Sequence, residues 1–179
     1  GLAAMLGAGE IESDMFSAIV LVDVTPQLNR AGVEKIFQFM SANMYSGFAS
    51  LEEVADAIAS YTGRPRKKDL SGLKKNLRER DGRYYWHWDP NFFSPREDGP
   101  AHPQQVMEAA AQIKQPVLLV RGQASDVVTQ AEVDEFLKLI PHAEYIDVEK
   151  ARHMVAGDRN DIFSESVVNF LKGILPQVE

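Results

Sequence analysis

The chain has 179 residues, of which 45% are hydrophobic and 25% are charged, as in an ordinary globular domain. Its 19 Lys and Arg against 26 Asp and Glu give a net charge of −7, which argues against a broad nucleic-acid or anionic-membrane surface. The absence of cysteine excludes disulfides, thiolate metal sites and a cysteine nucleophile. No apolar run approaches the ~20 residues of a membrane span, and no signal-peptide pattern opens the sequence. These features predict a cytoplasmic protein.

The N-terminal part of the sequence predicts a helix followed by a buried strand. Residues 2–6 carry apolar side chains at helical spacing, and Gly9 is a typical residue for a helix end. Residues 18–22 (AIVLV) form a continuous apolar run that ends at Asp23. Such a run is typical of a strand that is covered on both faces of a parallel sheet.

Two further strands alternate with two helices in the C-terminal third. Residues 117–120 (VLLV) and 145–148 (YIDV) are the predicted strands. A capping box at 129–132 (TQAE) begins a helix that ends before Pro141. An apolar stripe at helical spacing marks the last helix: Phe163, Val167, Phe170, Leu171 and Ile174. This alternation is typical of an α/β fold with a parallel sheet.

A long insertion separates the first two predicted strands. At residues 24–115 it far exceeds a simple crossover, which needs only about a dozen or more residues. It carries three helical patterns and then an aromatic hairpin or loop, at residues 33–40, 51–61, 70–77 and 81–90. A capping box at 50–53 (SLEE) begins the second of these helices, which ends before Gly63. We therefore predict a sheet core formed by residues 1–23 and 116–179, and a helical cap with its return formed by residues 24–115.

Two polar residues follow consecutive predicted strands. Asp126 comes after the strand at 117–120, and His153 comes after the strand at 145–148. Because the carboxyl ends of parallel strands meet at one edge of a sheet, a carboxylate and an imidazole can meet there. The carboxylate would fix the tautomer of the ring, and the second ring nitrogen would act as a general base. The alternatives are a turn or cap aspartate and a loop histidine.

Two segments resemble the C-terminal part of the α/β-hydrolase family. They are residues 116–126 (PVLLVRGQASD) and 153–161 (HMVAGDRND), which follow a strand and a helical insertion. The resemblance covers essentially the whole chain. It implies that Asp126 is the catalytic acid and His153 the catalytic base, with no cofactor. Asp23 is the competing acid, because some family members carry theirs after an earlier strand.

The nucleophile of that family is absent from the sequence. The family places it on a G-x-S-x-G turn before a helix, and the chain contains no such motif. Residues 1–6 (GLAAML) resemble the helix that follows this turn, so we expect the nucleophile and the oxyanion hole to lie before Gly1. The chain alone is then an inactive fragment. The open edge of the strand at 18–22 would face either the missing N-terminal half of the same protein or a second copy.

Residues of the insertion predict the kind of substrate. The candidates for a pocket wall are Phe37, Met40, Trp86, His87 and Trp88. An apolar wall favours a small hydrophobic ester-like substrate, which Ser-His-Asp chemistry would hydrolyse. Met and aromatic residues at helical spacing are, however, more often part of a core than of a pocket wall.

Two other readings stay open at this point. Epoxide hydrolases and haloalkane dehalogenases share the fold but use an Asp nucleophile, with cap donors that would here be Tyr84, Tyr85, Trp86 and His87. The chain could instead be a non-catalytic interaction module that kept the acid and the base. No metal site is expected, because the four histidines form no ligand spacing.

Overall fold

The computed structural model describes residues 1–11, 15–93 and 102–174. The chain forms two compact units, which we call the sheet unit (Gly1–Val33 with Gly99–Glu179) and the cap unit (Glu34–Asp98). This division falls inside the predicted insertion at 24–115. Residues on both sides of the cap therefore belong to the sheet unit.

The sheet unit begins with helix α1 (Leu2–Leu6), which continues as a π-helical segment (Gly7–Ile11). The helical backbone thus passes through Gly9, where the sequence predicted its end. Helix α4 (Pro103–Ala111) lies so close that a Cβ at Gly9 would be 2.0 Å from the carbonyl oxygen of Ala109. Close packing of two backbones, and not a helix end, is what requires glycine here.

Three parallel strands form the sheet: β1 (Ile19–Val22), β4 (Val117–Gly122) and β5 (Glu144–Val148), in the order β1-β4-β5. Leu21 pairs with Leu119, and Leu119 pairs with Tyr145. All six residues of β4 are buried, as expected for a central strand. The parallel sheet confirms the predicted α/β fold. Within the described residues, β1 pairs with β4 alone, so its other edge is open.

Three helices follow the second and third strands of this sheet: α5 (Gln130–Leu139), α6 (Val155–Asp158) and α7 (Asn160–Ile174). The predicted capping box begins α5, where the carboxylate of Glu132 accepts the N–H of Thr129 at 2.7 Å. The apolar stripe of α7, except Leu171, packs against the sheet in a core that includes Leu118, Val120 and Phe170. Leu171 is exposed. Burial of this stripe fixes α7 against the sheet.

The cap unit combines helices with an antiparallel hairpin. Helix α2 (Arg30–Ser41) begins in the sheet unit and ends in the cap unit, and α3 (Leu51–Thr62) follows it. As predicted, Ser50 caps α3 by accepting the N–H of Glu53, and Gly63 ends it in the left-handed region with a φ of 66°.

The hairpin consists of β2 (Leu77–Arg80) and β3 (Arg83–Trp86). Its turn residues Asp81 and Gly82 have φ angles of 52° and 71°, which suits a two-residue hairpin loop. The helix predicted at residues 70–77 is wrong. A short 3₁₀ helix (Ser71–Asn76) stands there instead, because Leu77 pairs with Trp86 in the hairpin. A second 3₁₀ helix spans Pro90–Phe93.

Candidate active site

Asp23 lies at the carboxyl end of β1 in an unusual backbone conformation. Its φ of 51° places it in the left-handed region, which aspartate tolerates better than most residues. The hydrogen bonding between β1 and β4 continues to this residue, because the N–H of Asp23 donates to the carbonyl of Val120 at 2.8 Å. The residue is completely buried. Such a conformation at a buried acid is a feature of functional sites.

Three donors surround the carboxylate of Asp23. The backbone N–H of Gly122 donates to Oδ1 at 3.0 Å. The hydroxyl of Ser125 donates to Oδ2 at 2.6 Å, and Nδ1 of His153 lies 2.8 Å from the same oxygen. A buried carboxylate is costly unless it is hydrogen-bonded in this way. The sequence separation of these residues shows that three different strand ends build the site.

The loops that follow β4 and β5 are joined by backbone hydrogen bonds. The N–H of Gln123 donates to Val148, and the N–H of Ala124 donates to Ala151 at 2.9 Å. A Cβ at Gly122 would lie 2.2 Å from the carbonyl oxygen of Arg152. The close approach of the two loops therefore requires glycine at position 122 and brings His153 to Asp23.

Arg121 holds the loop after β4 from its other side. Its guanidinium is almost fully buried and donates to the carbonyls of Val128 at 2.7 Å and Gln123 at 3.3 Å. It also reaches the hydroxyl of Tyr145 and the carboxylate of Asp147. Burial raises the pKa of the Tyr145 phenol, and Arg121 offsets only part of this effect.

The pairing of Asp23 with His153 defines what the site can do. The His153 side chain is 34% exposed, whereas the Asp23 side chain is 0% exposed. An ionised carboxylate can only accept hydrogen bonds, so Nδ1 of His153 must carry a proton. In the neutral ring, Nε2 then presents its lone pair and can accept a proton from a hydroxyl or a water. A carboxylate and an imidazole in this arrangement are able to act as an acid–base pair.

The structure corrects the preferred acid. From the sequence, Asp126 is favoured over Asp23 as the partner of His153, and this prediction is wrong: the carboxylate at Nδ1 belongs to Asp23. The reason is local. Ser125, directly before Asp126, turns into the buried site, whereas Asp126 is exposed. His153 lies at the sheet edge as predicted. Ser125 and Gly122 were not identified as site residues, and no sequence motif distinguishes them.

Trp86 and Trp88 belong to an aromatic cluster within the cap unit. Trp86 is buried and packs against Phe48 and Phe39, with ring centroids 5.3 and 5.4 Å away. Trp88 stacks on Trp86 at 4.7 Å. These contacts show that both indoles contribute to the core of the cap unit. Their predicted place in a substrate pocket stays a prediction.

The other pocket candidates are more accessible. Phe37 is 41% exposed and packs against Phe92 and Phe93, with ring centroids 6.1 and 5.5 Å away. Met40 is half-buried and His87 is exposed. The backbone N–H of His87 donates to the carbonyl of Asn76. The predicted contact of these three residues with a substrate stays a prediction.

Two cavities of the chain are lined by residues other than the Asp23–His153 pair. A cavity of about 580 Å³ lies beside β5 and α7, and another of about 620 Å³ lies in the cap unit beside α3. Neither lining includes Asp23 or His153. In residues 1–11, 15–93 and 102–174, no group of three His, Asp or Glu side chains is arranged to hold a metal ion. No helix in these ranges has the length and apolarity needed to cross a bilayer.

Solved structures with a similar fold include several hydrolases. One is the E-2-(acetamidomethylene)succinate hydrolase, with a TM-score of 0.72 at 19% identity over 94% of this chain and 62% of that chain. Another is an esterase of Mycobacterium tuberculosis, with a TM-score of 0.72 at 26% identity over 96% and 59%. A third is an α/β hydrolase of Novosphingobium aromaticivorans, with a TM-score of 0.69 at 21% identity over 96% and 61%.

The chain thus spans about 60% of the length of the structures that it matches. No protein-family model matches the sequence, and no curated protein is significantly similar to it. The likeness is therefore one of fold.

Proposed function

The chain has the fold of the C-terminal part of an α/β-hydrolase, and from this premise we propose that it belongs to a hydrolase of small, hydrophobic ester-like substrates. The observation that carries the proposal is the hydrogen bond between Nδ1 of His153 and the buried carboxylate of Asp23, at 2.8 Å. His153 is the general base in this proposal, and Asp23 orients it.

The proposed chemistry is acyl transfer through a serine. Nε2 of His153 takes the proton of the serine hydroxyl while the serine oxygen bonds to the acyl carbon of the ester. The resulting imidazolium gives this proton to the leaving alkoxide as the C–O bond breaks. A water, activated by the same nitrogen, then hydrolyses the acyl-serine. Asp23 stays ionised throughout and stabilises the imidazolium.

The serine would come from a segment outside these 179 residues. The sequence has no G-x-S-x-G motif, and the matched structures are longer than the chain. A strand of that segment would pair with the open edge of β1, which is parallel and apolar. We favour the N-terminal half of the same protein as the partner over a second copy, since a second copy would not supply a nucleophile.

A first experiment establishes which polypeptide carries the activity. Intact-mass spectrometry of the natural protein shows whether a longer chain with G-x-S-x-G exists. A fluorophosphonate probe, which labels activated serines, should then label that longer protein and leave the 179-residue chain unlabelled. A longer protein that hydrolyses a substrate without labelling would favour the Asp-nucleophile alternative. An inert longer protein would favour the interaction module.

A pair of histidine variants then tests the role of His153. In the longer protein, His153→Ala should abolish labelling within the assay time, because the serine loses its base. His142 is a matched control, since it is exposed and its Nε2 lies 2.9 Å from the carbonyl of Gln115, away from Asp23. His142→Ala should therefore label like the unchanged protein. Equal labelling of both variants would contradict the proposed function.

A further inference from the structure

Ser125 occupies a position that links the loop after β4 to the acid–base pair. Its side chain is buried, with 8% of the residue exposed. Its hydroxyl oxygen takes part in three hydrogen bonds, with the N–H groups of Val127 and Val128 and with Oδ2 of Asp23. A turn serine needs only the first two bonds, so the third is a separate feature.

The direction of each bond follows from the chemistry of a hydroxyl. The oxygen has two lone pairs and one proton. The N–H groups of Val127, at 3.1 Å, and Val128, at 3.3 Å, are donors and use both lone pairs. The one remaining group, the O–H, therefore points to Asp23. The Ser125 hydroxyl is therefore the donor in this hydrogen bond, and Oδ2 of Asp23 is the acceptor.

The fixed donor acts on the same oxygen as His153. Oδ2 receives the Ser125 hydroxyl at 2.6 Å and Nδ1 of His153 at 2.8 Å, while Oδ1 receives the N–H of Gly122. The Ser125 hydroxyl therefore fixes the position of the oxygen that faces Nδ1 of His153. When Asp23 is ionised and the ring is neutral, Nδ1 donates to this oxygen and the lone pair is left on Nε2.

We propose that Ser125 is a positioning residue that fixes the Asp23 carboxylate so that Oδ2 stays aimed at Nδ1 of His153. This inference rests on the proposed function, in which Nε2 is the base. It extends that function by assigning the orientation of the catalytic acid to a residue that acts on His153 only through Asp23. Arg121 supports the arrangement by holding the carbonyl of Val128 at 2.7 Å, which keeps the Val128 N–H in place.

The test reads the proton on His153 directly in the 179-residue chain. Histidine labelled with ¹⁵N shows by NMR which ring nitrogen carries the proton, and His153→Gln assigns the signal. We expect a slowly exchanging proton on Nδ1 in the unchanged chain. Ser125→Ala should speed the exchange of this proton and shift its resonance upfield, because Oδ2 of Asp23 is no longer held against Nδ1. Ser125→Thr keeps the hydroxyl and should retain the resonance.

Two further variants separate this effect from a loss of structure. Ser166→Ala is the matched control, because the Ser166 hydroxyl donates only within α7, to Ile162 at 2.7 Å, and it should leave His153 unchanged. Ser125→Cys is nearly isosteric but a weak donor. If Ser125→Ala does not fold, Ser125→Cys should still show faster exchange of the His153 proton.

The outcomes distinguish this inference from the proposed function. A folded Ser125→Ala or Ser125→Cys chain with an unchanged Nδ1 proton would overturn the role of Ser125, provided that Asp23→Asn abolishes the resonance. If the unchanged chain shows no Nδ1 proton, or Asp23→Asn leaves it intact, then the Asp23–His153 pairing fails and the proposed function fails with it.

Discussion

Asp23, Gly122, Ser125 and His153 form what we call the strand-end site. This site and the aromatic cluster of the cap unit both contain buried polar groups, but the two differ in how these groups are hydrogen-bonded. In the first, the carboxylate of Asp23 has three donors on its two oxygens. In the second, the indole N–H groups of Trp86 and Trp88 have no acceptor among the described residues. The cap cluster is held by ring packing, whereas the strand-end site is held by directed hydrogen bonds.

This difference predicts different responses to substitution. An unpaired indole N–H costs some stability but leaves the packing intact. A buried carboxylate is tolerated only where it is hydrogen-bonded, so the geometry of the Asp23 site depends on each of its partners. Substitutions in the strand-end site should therefore affect activity most, and those in the cap cluster should affect stability.

The largest effect is expected from removing the charge on Asp23. Asp23→Asn in the longer, active protein should lower kcat/KM by about 10⁴-fold, because the amide favours the wrong tautomer of His153. Asp126→Asn makes the same chemical change at an exposed position and should stay within about threefold, as for other surface substitutions. Steady-state kinetics on both proteins measure the ratio. A larger loss for Asp126→Asn would restore Asp126 as the acid.

The next largest effect is expected in the cap cluster and on stability alone. Trp86→Ala removes a buried ring and should lower the free energy of unfolding by about 3–5 kcal/mol. Tyr45 is the control, since it is 81% exposed, and Tyr45→Ala should change stability by less than about 0.5 kcal/mol. Urea denaturation followed by circular dichroism compares them. A neutral Trp86→Ala would show that the cluster is not a packed core.

Two glycines should respond with opposite signs to the same substitution. Gly122→Ala places a Cβ 2.2 Å from the carbonyl oxygen of Arg152 and should destabilise the chain by about 3 kcal/mol. Gly173 is exposed in α7, and a Cβ there meets no atom within 4 Å. Gly173→Ala should stabilise by about 0.5–1 kcal/mol, because alanine favours the helix. Equal effects in urea denaturation would contradict the close approach of the two loops.

Sequence periodicity predicted the elements that depend on local chemistry. The three strands, the caps at Ser50 and Thr129 and the position of His153 at the sheet edge all follow from neighbouring residues. The partner of His153 could not be predicted in this way, because the two residues of the pair are 130 positions apart in the sequence. Asp23 and Asp126 both follow strands, and only the backbone of the loop at 123–128 decides which carboxylate turns inward.

The helix predicted at residues 70–77 failed for a related reason. Its apolar residues have helical spacing, but the segment is short, and the pairing of Leu77 with Trp86 in the hairpin overrides that local signal. Such pairing is a tertiary contact that overrides local propensity. The aromatic residues of the cap were likewise recognisable as apolar, but which of them pack inward depends on the hairpin register.

The smallest expected effects come from the two helix caps, and they sharpen the comparison between the units. Ser50→Ala in the cap unit and Thr129→Ala in the sheet unit each remove a cap and should cost about 1 kcal/mol. Both tryptophans of the chain lie in the cap unit, so tryptophan fluorescence reports the unfolding of that unit.

We expect Ser50→Ala to lower the denaturation midpoint by fluorescence, and Thr129→Ala to lower it by circular dichroism while the fluorescence midpoint stays unchanged. The reason is that each compact unit has its own buried core, with Trp86 in one and Leu118 in the other. If Thr129→Ala shifts both midpoints equally, the two units unfold as one. In that case Trp86→Ala would also lower the free energy of unfolding of the unit that holds the Asp23–His153 pair, and the cap cluster would contribute to the stability of the site.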